Sequence, residues 1–157
     1  MLQRSAPTIR ELLSYRLHVV ANLLSRGAEM RYRREFGVSL WEWRSVALLG
    51  GAAEPQSLNE LARAAGVDKS QMSRVVSSLT GKGIVFRDTD ENDARGIRLS
   101  LSRSGKTLYR RLIDAAAERN SAFLGCLNAK ERACLEQAMT KLAREARAFI
   151  QKERQVR

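Results

Sequence analysis

Ser57-Leu-Asn-Glu-Leu-Ala-Arg-Ala-Ala-Gly66, followed by Val67-Asp-Lys-Ser-Gln-Met-Ser-Arg-Val-Val-Ser-Ser-Leu-Thr-Gly81, decides how this 157-residue chain is read. Ser57 with Glu60 three residues later is a capping box, in which serine oxygen and glutamate carboxylate satisfy each other's orphan backbone amides. Leu58, Leu61, Ala62 and Ala65 then recur at helical spacing, and Gly66 supplies a left-handed stop. Asp68 caps a second helix with Gln71 at the reciprocal position, and Gly81 and Gly83 end it. Met72, Val75, Val76 and Leu79 make one apolar side. Two short helices joined by a tight turn are thus expected.

The other side of that second helix carries Lys69, Ser70, Gln71, Ser73, Arg74, Ser77 and Ser78. An ordinary solvated face mixes acids with cations, but this one has no acid after its cap. Hydroxyls, an amide and two cations are the groups that hydrogen-bond phosphates and base edges.

Ile84-Val85-Phe86-Arg87 follows as a β-prone run, and Ile97-Arg98-Leu99-Ser100-Leu101 alternates as a half-buried strand does. Arg98 and Ser100 face away from the apolar side. Asp88 to Gly96 between them is read as a turn-forming loop, in which Asp93 can pair with Arg95 and hold its guanidinium at the tip. As an exposed ion pair it is worth little to stability, ~0–1 kcal/mol, so its value is positional. Helix, turn, helix and charged hairpin spell a winged helix. Such a unit sets one helix in a DNA groove, here through Lys69, Ser70, Gln71, Ser73, Arg74 and Ser77, and a hairpin bearing Asp93, Arg95 and Arg98 beside it.

The stretch from Ser57 to Lys106 resembles the DNA-binding core of the MarR family of transcriptional regulators. The resemblance rests on Lys82-Gly-Ile-Val85 after the second helix, Asp93-Ala-Arg95 in the wing, and Leu101-Ser102 followed by Ser104-Gly105. It implies a homodimer on an inverted-repeat duplex, and a small aromatic or anionic effector lodged between dimerisation helices and winged helix. In this chain the facing segments would bring Ser14, Arg16 and His18 to Trp41 and Arg44, aromatic walls with cations suited to an acid. Within that set, Trp43 is expected in the core, and Arg16 has Glu11 and Glu42 as possible partners.

Outside the winged helix, the sequence predicts helices from about Thr8 to Arg34, from Ser39 to Gly50-Gly51, from Ser102 to about Leu124, and from Asn128 through Ile150. Thr8 with Glu11, Ser39 with Glu42 and Asn128 with Glu131 repeat the capping-box spacing. Gly105 is read as an early interruption of the third of these. Ile9, Leu13, Leu17, Val20 and Leu24 form one apolar stripe, and Leu135, Ala138, Met139, Leu142, Ala146, Phe149 and Ile150 another. One chain offers no obvious cover for them, which favours a symmetric dimer. The expected organisation is an N-terminal dimerisation helix over 1–36, the winged helix-turn-helix over 37–103, and C-terminal dimerisation helices over 104–157. The fold class is mainly α with a small β-hairpin wing.

Composition sets outer limits. The net charge of +11 favours a polyanionic partner. It is not concentrated in the reader, however: eight Lys and Arg face five acids in 1–56, eight face six in 57–103, and twelve face six in 104–157. Cys126 and Cys134 have no neighbouring histidine, so neither a zinc site nor a disulfide framework is expected. No cofactor is expected. The apolar run Leu17–Leu24 is too short to span a bilayer, and a cytoplasmic protein is expected. His18 is the only histidine, and no phosphate loop, His-Glu-x-x-His or dinucleotide fingerprint occurs, which argues against an enzyme. Two further readings fit the same unit, a winged helix that grips another protein and a nucleoid-type protein without sequence preference. The acid-free helix face speaks against the first, and a preferred inverted repeat would exclude the second.

Overall fold

The computed structural model describes residues 7–90 and 93–156, and the backbone alone at 90 and 93–96. Helices α1 (Leu13–Phe36) and α2 (Leu40–Gly51) come first, then strand β1 (Gln56–Ser57) and helices α3 (Leu58–Ala65) and α4 (Lys69–Gly81). Strands β2 (Val85–Asp90) and β3 (Asp93–Leu101) follow, then helices α5 (Arg103–Leu124) and α6 (Ala129–Gln155). Two compact units result, Met1–Ile113 and Asp114–Arg157, so that α5 contributes to both.

The caps are where the residue chemistry demands. Ser39, Ser57 and Asn128 each accept an amide from the glutamate three residues on, whose carboxylate takes the cap's own amide. Gly66 adopts φ 72°, a left-handed turn that a side chain would strain, and swings the chain from α3 into α4. At the N-terminus the helix is not continuous from Thr8. A 3-10 turn over Ile9–Glu11 precedes it, Leu12 is extended, and α1 starts at Leu13.

The core of the first unit is the winged helix closed by α2. Val46 of α2, Leu61 of α3, Met72, Val76 and Leu79 of α4, and Leu99 of β3 are buried to within 1% exposure. Trp43 joins them, as expected, and meets Tyr32 of α1 with ring centroids 5.0 Å apart. Full burial of each such side chain stabilises by about 1.5–3 kcal/mol.

The sheet is antiparallel in the order β1-β3-β2, with Val85 opposite Leu101, Arg87 opposite Leu99 and Gln56 opposite Leu99 on the other edge. Two features of the sheet depart from the sequence expectation. The strands run well into the Asp88–Gly96 segment read as loop, because ladder hydrogen bonds carry the hairpin outward through residues of low strand preference. The two-residue β1 is the other, too short to leave a periodic trace. Gly105 also plays a different part from the interruption expected. α5 runs unbroken through it, and a Cβ there would lie 2.2 Å from the Ile84 carbonyl oxygen. The glycine lets α5 sit directly on the backbone entering the wing.

In the second unit α6 buries no residue. Among the described residues no helix is long and apolar enough to cross a membrane.

Candidate nucleic-acid interface

Helix α4 has the two faces its sequence requires. Met72, Val76 and Leu79 point inward, whereas Lys69, Ser70, Arg74 and Ser77 are exposed and Gln71 and Ser73 are half-buried. Asp68 Oδ1 accepts the Gln71 amide at 2.7 Å and is spent on the cap. The outward face therefore offers donors and hydroxyls with no carboxylate beyond the helix start. Six of the expected DNA contacts are thus brought together on one surface.

What fixes this helix in place is a buried carboxylate on α2. Glu42 Oε1 accepts from Ser78 Oγ and from Lys82 Nζ, both at 2.7 Å. Its Oε2 accepts the Ser39 amide at 2.7 Å, and Lys82 Nζ also donates to the Gly37 carbonyl at 3.2 Å. Burial pushes the Glu42 carboxyl up, but the hydrogen bonds from Lys82, Ser39 and Ser78 together outweigh it and hold the group below the ordinary carboxylate value. Farther along α2, Ser45 Oγ donates to Met72 Sδ at 3.4 Å. Both halves of α4 are thus tied to α2. The capping-box spacing identified Glu42 only as a helix cap. Its second task, across 36 and 40 residues of sequence, had no local signal.

The wing residues divide. Arg98 Nη1 donates to the Pro55 carbonyl at 3.3 Å and approaches Glu60 Oε2 at 3.4 Å, so its guanidinium is directed to the start of α3. The Glu60 carboxyl is held below its usual value, first by hydrogen bonds from the backbone and side chain of Ser57 and then by Arg98. The side chains of Asp93 and Arg95, and hence their expected pairing, lie outside the described residues. Their backbone belongs to β3, where Asp93 stands opposite Asp90 after a register shift at Thr89/Asp90.

The expected effector residues form two groups within one chain. Arg44 stacks on Trp41, with its guanidinium carbon 4.8 Å from the ring centroid, and its Nη2 donates to Ser25 Oγ at 3.3 Å. Ser14, Arg16 and His18 are exposed on α1, and His18 Nε2 lies 2.8 Å from Asn22 Nδ2. At 1.5 Å per residue, His18 lies about 10 Å and Ser14 about 16 Å along α1 from the Ser25 that Arg44 touches. A single chain therefore does not gather the five residues. Neither acid weighed as a partner for Arg16 is idle, because Glu11 takes the Thr8 amide at 2.8 Å and Glu42 is held as described.

Cys126 and Cys134 are exposed free thiols. Among the described residues no group of three or more His, Cys, Asp or Glu is placed to hold a metal ion.

Known proteins match this arrangement. The sequence model of the MarR family matches residues 36–96, from the end of α1 into the wing. The HTH-type transcriptional repressor NicR of Pseudomonas putida is 30% identical over 88 residues, a match spanning 56% of this chain and 56% of that relative. A MarR/EmrR family transcriptional regulator from Acinetobacter superposes with a TM-score of 0.82 at 25% identity, covering 90% of this chain and 99% of that one. Staphylococcus aureus MepR, solved as a DNA complex, superposes with a TM-score of 0.79 at 18% identity over 85% of this chain and 98% of its own, a likeness of fold. Family model, shared sequence and near-complete superposition agree: the chain has the winged-helix fold of the MarR family of transcriptional regulators and resembles that family in sequence over residues 36–96.

Proposed function

We propose that this protein is a homodimeric, sequence-specific DNA-binding regulator of transcription, a repressor released by a small aromatic or anionic effector. The observation that carries the reading is the outward face of α4, acid-free and held by buried contacts behind it. In this reading Lys69, Ser70, Gln71, Ser73, Arg74 and Ser77 meet the major groove and adjacent phosphates. Asp93, Arg95 and Arg98 serve the wing, with Arg98 acting through its hold on α3. NicR's description as a repressor and the MepR–DNA complex support the direction of the argument.

Dimerisation through 1–36 and 104–157 is supported by what the helices leave bare. Leu13, Leu17, Val20 and Leu24 of α1 are 41–54% exposed, and Met139, Phe149 and Ile150 of α6 are 51–64% exposed. Apolar stripes of this length are characteristic of subunit interfaces. A two-fold dimer would space its recognition helices by about one DNA turn, roughly 34 Å, and read an inverted repeat. In such a dimer the effector set would be completed from Trp41 and Arg44 with Ser14, Arg16 and His18. The effector must favour the DNA-incompetent state by a few kcal/mol to clear a nearly saturated operator.

Fluorescence anisotropy of labelled duplexes at two salt concentrations tests the proposal. A duplex carrying an inverted repeat should outcompete sheared genomic DNA by at least ~10³-fold. Equal affinity for both would replace this reading with a non-specific one.

A further inference from the structure

The first three turns of α5 hold Arg103, Lys106, Arg110 and Arg111 with no acid before Asp114. Arg111 lies over the Phe36 ring at 5.2 Å, but Lys106 and Arg110 are exposed, and among the described residues neither forms an ion pair. They stand one helical turn apart and line the same cleft, of about 400 Å³, between the end of α2, the 52–55 loop, β3 and α5. Leu49, Leu99, Leu101 and Tyr109 supply its apolar walls, and Glu54 is the one acid on its lining. Tyr109 is set by close packing, since a Cβ on Gly50 would come within 2.5 Å of its ring. The cleft lies wholly within the first unit and contains none of the residues assigned above to DNA or effector.

Its chemistry is specific. A volume of this size suits a small organic molecule. Apolar walls have nothing to offer a phosphate backbone, so the cations beside them are poorly explained as a further DNA contact. Two unpaired cations on one rim favour an acid, whose charge-assisted hydrogen bonds are the stronger kind. Glu54 on the same lining disfavours a second negative charge on the occupant. We infer that this cleft binds an amphiphilic organic monoanion, with its apolar body between Leu49 and Tyr109 and its acid group on Lys106 and Arg110. Because Leu99 and Leu101 belong to the central strand of the wing, an occupant bears on the wing root. That regulatory consequence, unlike the binding itself, rests on the function proposed above.

The test uses the full chain and two fluorescent probes of similar shape. 8-Anilinonaphthalene-1-sulfonate carries the acid, and N-phenyl-1-naphthylamine lacks it. Lys106→Gln with Arg110→Gln, both at exposed helix positions, should weaken the sulfonate probe by about tenfold or more while leaving the neutral probe unchanged. Glu54→Gln should tighten the sulfonate probe severalfold, by removing the repulsion. Equal sulfonate affinity in wild type and the double variant would overturn the assignment and put the probe on the bare apolar helix faces. Operator binding measured on the same samples keeps the two readings apart. Cation-dependent probe binding without a preferred duplex would uphold the cleft and sink the regulator, and the converse result would do the opposite.

Discussion

Helices α4 and α1 carry apolar stripes of the same spacing, and the protein treats them oppositely. On α4, Met72, Val76 and Leu79 are at most 1% exposed, covered by α2, α3 and the wing. On α1, Leu13, Leu17 and Val20 of the longer stripe are 46–54% exposed, and only Ala28 and Tyr32 near its end are buried. Periodicity therefore says that a face wants cover and leaves open where the cover comes from. The winged helix is complete within one chain. The flanking helices leave their stripes bare in one chain, and in the proposed dimer a second copy would supply the cover.

The largest effects should separate these regions by their dependence on concentration. Leu79→Ala removes a fully buried side chain and should cost about 2–5 kcal/mol in urea unfolding. The loss should not depend on protein concentration if it concerns the winged helix alone. Leu17→Ala should instead raise the dimer dissociation constant in sedimentation equilibrium and make Tm more concentration-dependent. If Leu17→Ala left association untouched, α1 would be a solvated helix and the contrast would disappear.

Next in size is the tie between the two faces of the winged helix. Glu42→Gln should destabilise by about 1–3 kcal/mol, because Lys82 and Ser78 lose a buried charged acceptor. The sign with pH follows from its lowered carboxyl: the stability it contributes is complete above the ordinary carboxylate value and is lost as pH falls through the lower native one. The gap between wild type and variant in urea midpoints should therefore be widest near neutrality and close in acid. A gap independent of pH would mean that the charge is not what matters.

Of similar size, but visible only with DNA, are the outward residues of α4. Gln71→Ala should shift base preference by about 1–3 kcal/mol at the position it reads. Arg74→Ala should weaken all duplexes and lower the salt slope by about one phosphate's worth. Smallest is Asp68→Ala, which removes the α4 cap and should cost about 1 kcal/mol of stability. Anisotropy and urea titrations distinguish the three, and a Gln71→Ala protein with unchanged base preference would take that residue off the reading face.

Much of this was legible in the sequence wherever the determining interaction is local. The capping boxes at Ser39, Ser57 and Asn128 and the glycine stop at Gly66 depend on residues three or four apart, and they form as written. The face of α4 was legible because its inward positions and its polar positions alternate at helical spacing. Interactions between distant segments left no such trace. The two jobs of Glu42, the close seat of Gly105 on Ile84 and the turn of Arg98 toward Glu60 arise only once α2, α3 and the wing have met. The wing strands were underestimated because Asp and Thr are weak strand formers alone, whereas a ladder supplies the missing preference. Arg44 meeting Ser25 rather than the 14–18 segment is a matter of how far α2 slides along α1, which spacing within either helix does not encode.

The central claim, that paired copies of α4 read successive turns of duplex, is tested most directly by selecting bound DNA from a random-sequence pool with the full chain. The account predicts recovery of an inverted repeat with half-sites about 10 base pairs apart, centre to centre. Recovery of a single asymmetric half-site, or of no enriched sequence at all, would contradict it.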